Sequence, residues 1–204
     1  MTFCSDSLFC ILFTCATSFP DGYLGDGVFG PTSKEVAGTV STLNELFCDM
    51  FQINQDDTKN GVPGILYGRY EGDHYAGGNP WILLSSALAE VLYRGASDML
   101  TMSTETMNVE DMAAWSKVLD VDFDGSDVAQ LDPLVMAKAF AGAGDGVLTR
   151  IRSHVDGAND FHLTEQIDRS TGATMAAHDL TWSYAATLKA VHARSTYVAA
   201  LVNH

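Results

Sequence analysis

Apolar positions in this chain recur mostly at helical spacing, with no alternation sustained enough to build a sheet. From Ser33 to Phe51, Val36, Val40, Leu43, Phe47, Met50 and Phe51 fall on one face, and Ser33 is placed to cap the first turn. Pro80 to Met102 opens on a proline suited to a first turn. It is apolar on nearly every side, which predicts a helix enclosed by others. Val109 to Val118 reads as a short amphipathic helix capped by Asn108. Asp132 to Val155 reads as a long one, with Leu134, Ala137, Phe140, Val147, Leu148 and Ile151 inward. Asp179 to Leu201 closes the set, with Asp179 as its cap and Trp182 and Tyr184 in its core pattern. Between these lie Gly- and Asp-rich stretches: Phe19 to Thr32, Asn54 to Asn79, Asp120 to Leu131 and Asp156 to His178. Loops of that length in a compact domain tend to carry function. The prediction is an all-α scaffold with its chemistry in loops.

Composition narrows the partners. The 204 residues suffice for one domain with a real core. With 47% hydrophobic and 18% charged residues the chain is globular in type. Asp and Glu number 26 against 11 Lys and Arg, a formal net charge of −15. Such a surface repels nucleic acid and anionic membranes, so neither is expected as a partner, while a neutral sugar remains compatible. Residues 1–19 hold the apolar run Leu8 to Ala16, too short to span a bilayer. Its flanks, with Asp6 and no basic residue ahead, fit an apolar helix with a truncated start better than a signal peptide.

Metal and cofactor signals are weak. Cys4, Cys10, Cys15 and Cys48 form no CxxC pair, which argues against zinc; they read as buried thiols or as a disulfide between Cys48 and one of the first three. Asp120 to Gly125 resembles the start of a calcium loop, but Val128 and Leu131 occupy positions where ligands are needed. Gly142 to Gly146 is preceded by no strand, so it reads as a close-packing patch and not as a nucleotide loop. The six histidines are scattered without an HExxH pattern. No metal and no cofactor are expected.

Two segments carry a more specific signal. Gly68 to Trp81 is GRYEGDHYAGGNPW, and Leu163 to Leu188 is LTEQIDRSTGATMAAHDLTWSYAATL. Together they resemble the two late signature regions of the glucoamylases, glycoside hydrolase family 15. The matching residues are Arg69, Tyr70, Asp73, Tyr75, Asn79, Pro80 and Trp81 in the first. In the second they are Glu165, Gln166, Asp168, Gly172 and the run Asp179 to Ala185. The resemblance runs from about Asp21, weak at first and strong after Gly68. It implies residues 20–204 as the carboxy-terminal half of a catalytic domain, an incomplete (α/α)6 toroid with Pro80–Met102 and Asp179–Leu201 as inner helices.

By that resemblance the activity is release of glucose from the non-reducing ends of α-1,4-glucans with inversion, in the secretory pathway. Inversion needs an acid for the leaving oxygen and a carboxylate base for water, about 6.5–9.5 Å apart. Glu165 is implied as the base. Arg69 is implied as a donor to sugar hydroxyls. Tyr75 and Trp81 are implied as flat faces for the sugar, with Tyr70 and Asp73 bracing their loop. No Asp-Leu-Trp-Glu-Glu type segment, where the family carries its general acid, occurs in the sequence. Two readings follow: an enzyme whose other half lies elsewhere, or a non-catalytic, truncated or degenerate relative that at most binds glucan weakly. Ile167, in place of an aromatic, and Ala76-Gly77 depart from the family pattern at the outer contacts.

Overall fold

A computed structural model describes residues 29–155 and 160–204. The apolar leader and three of the four cysteines lie outside the described residues. Six α-helices are described: α1 Lys34–Met50, α2 Gln52–Lys59, α3 Ile82–Thr101, α4 Val109–Leu119, α5 Pro133–His154 and α6 Thr181–Asn203. Two-residue strands, β1 Gln166–Ile167 and β2 Thr174–Met175, pair antiparallel. Among the described residues, no helix is long and apolar enough to cross a membrane.

The caps expected at Ser33 and Asn108 form, with Ser33 Oγ accepting from Val36 N and Asn108 Oδ1 from Glu110 N. Asp132 Oδ1 caps α5 in the same way. α3 is the centre of the fold, packed against α5 on one side and α6 on the other. Its all-round apolar character follows, with Ile82, Leu88, Ala89, Val91, Tyr93, Ala96 and Met99 all buried. Small residues bring α3 and α5 close. A Cβ on Gly95 would meet the Phe140 ring at 2.8 Å, and one on Gly144 the Tyr93 ring at 2.9 Å. The glycine patch in α5 is therefore a packing surface.

The structure departs from the sequence reading in four places. α2 runs from Gln52 into the start of the Asn54–Asn79 stretch read as a loop. Trp81 is extended and stands at the cap of α3: its N–H donates to Tyr67 O, while its carbonyl accepts the helix's bond from Ser85 N. Asp179 does not cap α6: it has φ 55°, Leu180 stands at the cap position, and the Asp179 carboxylate is engaged elsewhere. Trp182, read as core, is 61% exposed.

One buried charge organises the α2 region. Arg150 of α5 is 1% exposed and donates to the Asn54, Pro63 and Val62 carbonyls and to Thr58 Oγ1. Asp57 lies 3.8 Å from its Nε and 2.7 Å from His154 Nε2. Asn54, fully buried, donates to the Phe47 and Leu66 carbonyls and accepts from Leu66 N. These bonds fix the segment after α2, which leads directly into Gly68–Trp81.

Candidate active site

The Gly68–Trp81 segment is a tight loop whose backbone only glycine permits at one point. Gly78 has φ 65°, and a Cβ there would lie 2.0 Å from the Asp73 carbonyl oxygen. The turn folds Arg69 back onto Asp73 in a two-pronged ion pair, Nε to Oδ2 at 2.8 Å and Nη2 to Oδ1 at 2.6 Å. Asp73 Oδ1 also accepts from Tyr75 N at 2.9 Å. The Arg69 guanidinium holds the Asp73 carboxyl below the usual carboxylate range, against the opposing effect of burial.

Held this way, the Arg69 guanidinium carbon sits 4.9 Å from the Tyr75 ring centre, 5.1 Å from Trp81 and 5.4 Å from Tyr70. The Tyr75 and Trp81 rings are 5.8 Å apart. Tyr75 is half exposed, Trp81 is buried, and Trp81 Nε1 has no partner among the described residues. One edge of the guanidinium is spent on Asp73; Nη1 has no described protein partner.

The second segment meets the first through backbone pairing. Trp81 bridges Gln166 antiparallel, flanked by bonds from Ile82 N to Glu165 O at 3.2 Å and from Ile167 N to Pro80 O at 3.0 Å. Glu165 N donates to Ala177 O at 2.9 Å, so both faces of its peptide are held. Its side chain is mostly buried and forms no hydrogen bond or ion pair with a described residue. The structure thus groups Arg69, Tyr70, Asp73, Tyr75 and Trp81 in one loop and sets Glu165 across the bridge from Trp81.

Beneath this lies a polar frame to which the sequence reading assigned no role. Asn79 Nδ2 donates to Ala76 O at 2.7 Å and Gln166 Oε1 at 3.0 Å, while its Oδ1 accepts from Arg169 N at 3.1 Å. Arg169 reaches the Gly78 and Met50 carbonyls and stacks over Phe51. Asn79 and Gln166 were legible as motif letters, but only the fold shows them touching.

A second cluster lies on the same segment. Asp179 Oδ1 accepts from Tyr184 Oη at 2.5 Å and faces His162 Nδ1 at 2.6 Å; Oδ2 faces His178 Nδ1 at 3.0 Å. The Tyr184 hydroxyl, then His162, pull the Asp179 carboxyl down to about 2.

Comparison with known proteins agrees with the motif resemblance. The family model described as Glycosyl hydrolases family 15 matches residues 7–192, reaching further toward the amino terminus than the motifs did. A glucoamylase of Blastobotrys adeninivorans is 31% identical over 185 residues, 85% of this chain and 29% of its own length. The intracellular, sporulation-specific glucoamylase of Saccharomyces cerevisiae is 30% identical over 164 residues, 71% of this chain and 30% of its own. The solved Hormoconis resinae glucoamylase superposes with a TM-score of 0.73 at 25% identity, over 91% of this chain and 32% of that one. The chain therefore spans about 30% of the length of the relatives it matches. Its helices correspond to part of their helical toroid, and the chain belongs to glycosyl hydrolases family 15.

Proposed function

We propose that this chain supplies the general-base half of an inverting exo-glucosidase site, releasing glucose from the non-reducing ends of α-1,4-glucans. The observation that carries the reading is the Trp81–Gln166 bridge. It joins the backbone at Glu165, whose carboxylate has no described protein partner, to the end of the loop that carries Arg69, Tyr75 and Trp81. Glu165 activates the water that attacks the anomeric carbon on the face opposite the leaving oxygen. The uncommitted Arg69 Nη1 donates to sugar hydroxyls, and the exposed Tyr75 ring, with the Trp81 ring packed beside it, covers apolar C–H faces. Asp73 and Tyr70 brace Arg69. The acid that protonates the leaving oxygen comes from the part of the fold outside these residues.

The absence of a general-acid segment from the sequence favours a second reading for the chain by itself, a non-catalytic glucan binder. By family likeness the protein works in the secretory pathway, although the yeast relative bears an intracellular name.

The test joins the chain to the amino-terminal half of a related glucoamylase and measures glucose release from maltooligosaccharides. Glu165→Gln is expected to lower kcat by about 10²–10⁴ with KM little changed, since the amide keeps the size but cannot accept the proton. The product before mutarotation is expected to be β-glucose. Residues 1–204 alone are expected to release none. An unchanged kcat in Glu165→Gln removes Glu165 from the chemistry.

A further inference from the structure

His162 and His178 are sixteen positions apart, yet the fold aims both at Asp179. Their Nδ1 atoms lie 2.6 and 3.0 Å from the two Asp179 oxygens, and one donor atom from each residue lies within 4.8 Å of the others. The two imidazole rings are 4.6 Å apart, centre to centre. We propose that His162, His178 and Asp179 form a binding site for a divalent transition-metal ion, Zn²⁺ foremost.

The donor set selects the ion class. Two imidazole nitrogens and one carboxylate oxygen suit zinc and its neighbours, whereas calcium and magnesium require a shell of oxygens. The geometry is close to what is needed. Zinc bonds of about 2.0–2.2 Å in a tetrahedron place donors about 3.3 Å apart, so the two histidine–carboxylate separations need open by a few tenths of an ångström and the widest donor pair need close by no more than about 1.5 Å. The side chains can give that much, because they are 39%, 58% and 45% exposed. That exposure also leaves room for a water as fourth ligand. Tyr184 Oη, bonded to Asp179 Oδ1 and accepting from Leu163 N, orients the carboxylate as outer partners of metal ligands commonly do. The ligands sit on two segments already paired by Leu180 N to Leu163 O at 3.1 Å and Glu165 N to Ala177 O at 2.9 Å. A bound ion would therefore staple the His162–Glu165 segment to the start of α6.

Zn²⁺ titrated calorimetrically into the full chain is expected to bind one ion per chain. His178→Gln alters the most exposed ligand and should leave the helical circular dichroism unchanged, while weakening binding at least about tenfold. The double variant His162→Gln/His178→Gln should abolish it, and His192→Gln should not. Co²⁺ should give visible d–d bands lost in the same variants. The proposal fails if the chain binds no stoichiometric ion, or if His178→Gln binds Zn²⁺ as tightly as the parent. These readouts do not depend on glucosidase activity, so they stand or fall apart from the role of Glu165.

Discussion

The outer stripe of α6 should make this chain associate with itself. Leu188, Val191, Val198 and Val202 follow one another at steps of three, seven and four residues on one side of the helix, 67%, 45%, 41% and 81% exposed. The opposite side, carrying Ser183, Ala190, Ala193 and Tyr197, is buried in the fold. The four residues offer on the order of 400 Å² of apolar surface along this side, interrupted by Ser195, the size at which a patch usually marks an interface. Burying the stripe on a second copy covers it twice and contributes on the order of 20 kcal/mol gross at about 25 cal/mol per Å². Association costs of roughly 4–15 kcal/mol leave a net near that of a micromolar dimer. Leu188→Glu/Val202→Glu removes about 1.5–3 kcal/mol per side chain on each copy, enough to abolish association. Sedimentation velocity over about 1–100 µM brackets the expected constant. A parent chain that stays monomeric throughout, or a double variant that associates equally well, refutes the argument.

Other consequences follow from the buried charges. Arg150→Met should destabilise the chain by about 3–5 kcal/mol, since the Asn54, Val62 and Pro63 carbonyls lose their donor and Asp57 loses its closest arginine. A urea-derived loss below about 1 kcal/mol would show that the network is replaceable. Burial pushes the Asp98 carboxyl up to about 6, with Arg94 partly opposing. Its native form therefore holds a proton that the unfolded chain releases near pH 4, so stability falls as pH rises from about 4 to 6. Asp98→Asn should remove that fall, gaining about 2 kcal/mol at pH 7 and little at pH 4. Identical pH profiles for the two chains would refute the assignment.

What could be read ahead of the structure depended on whether apolar pattern decided the outcome. α1, α3, α4, α5 and α6 were legible because each buries a face with helical period, and Ser33 and Asn108 announce their own turns. α2 was not, because QINQDDTK holds one apolar residue and is fixed by polar contacts of Asn54 and Asp57. Trp182 was misjudged for the opposite reason: in a helix apolar on most sides, spacing alone cannot tell which side meets the fold. Asp179 had the residue type of a cap, but its left-handed backbone turns the carboxylate toward two histidines that no local pattern connects. The site loop was legible as motif letters, whereas its frame through Asn79, Gln166 and Arg169 spans some ninety positions and exists only after folding.

That frame bears on how two carboxylates in one small region can have different fates. Asp73 has both oxygens committed to Arg69 and one also to a backbone N–H, and its pKa is held down accordingly. Such a group orients its partner and is poorly placed to take a proton from water. Glu165 has the reverse arrangement: its backbone is fixed by Ile82 N and Ala177 O, while its carboxylate makes no bond to a described residue. For the base role proposed for Glu165, precision would come from the backbone and reactivity would stay with the side chain, the division a general base requires. Without Asn79 holding Gln166 and Arg169, the bridge to Trp81 would lose its flanking support. Glu165 and the Arg69 cluster would then be free to drift apart by the ångström or so that the proposed catalysis would not tolerate.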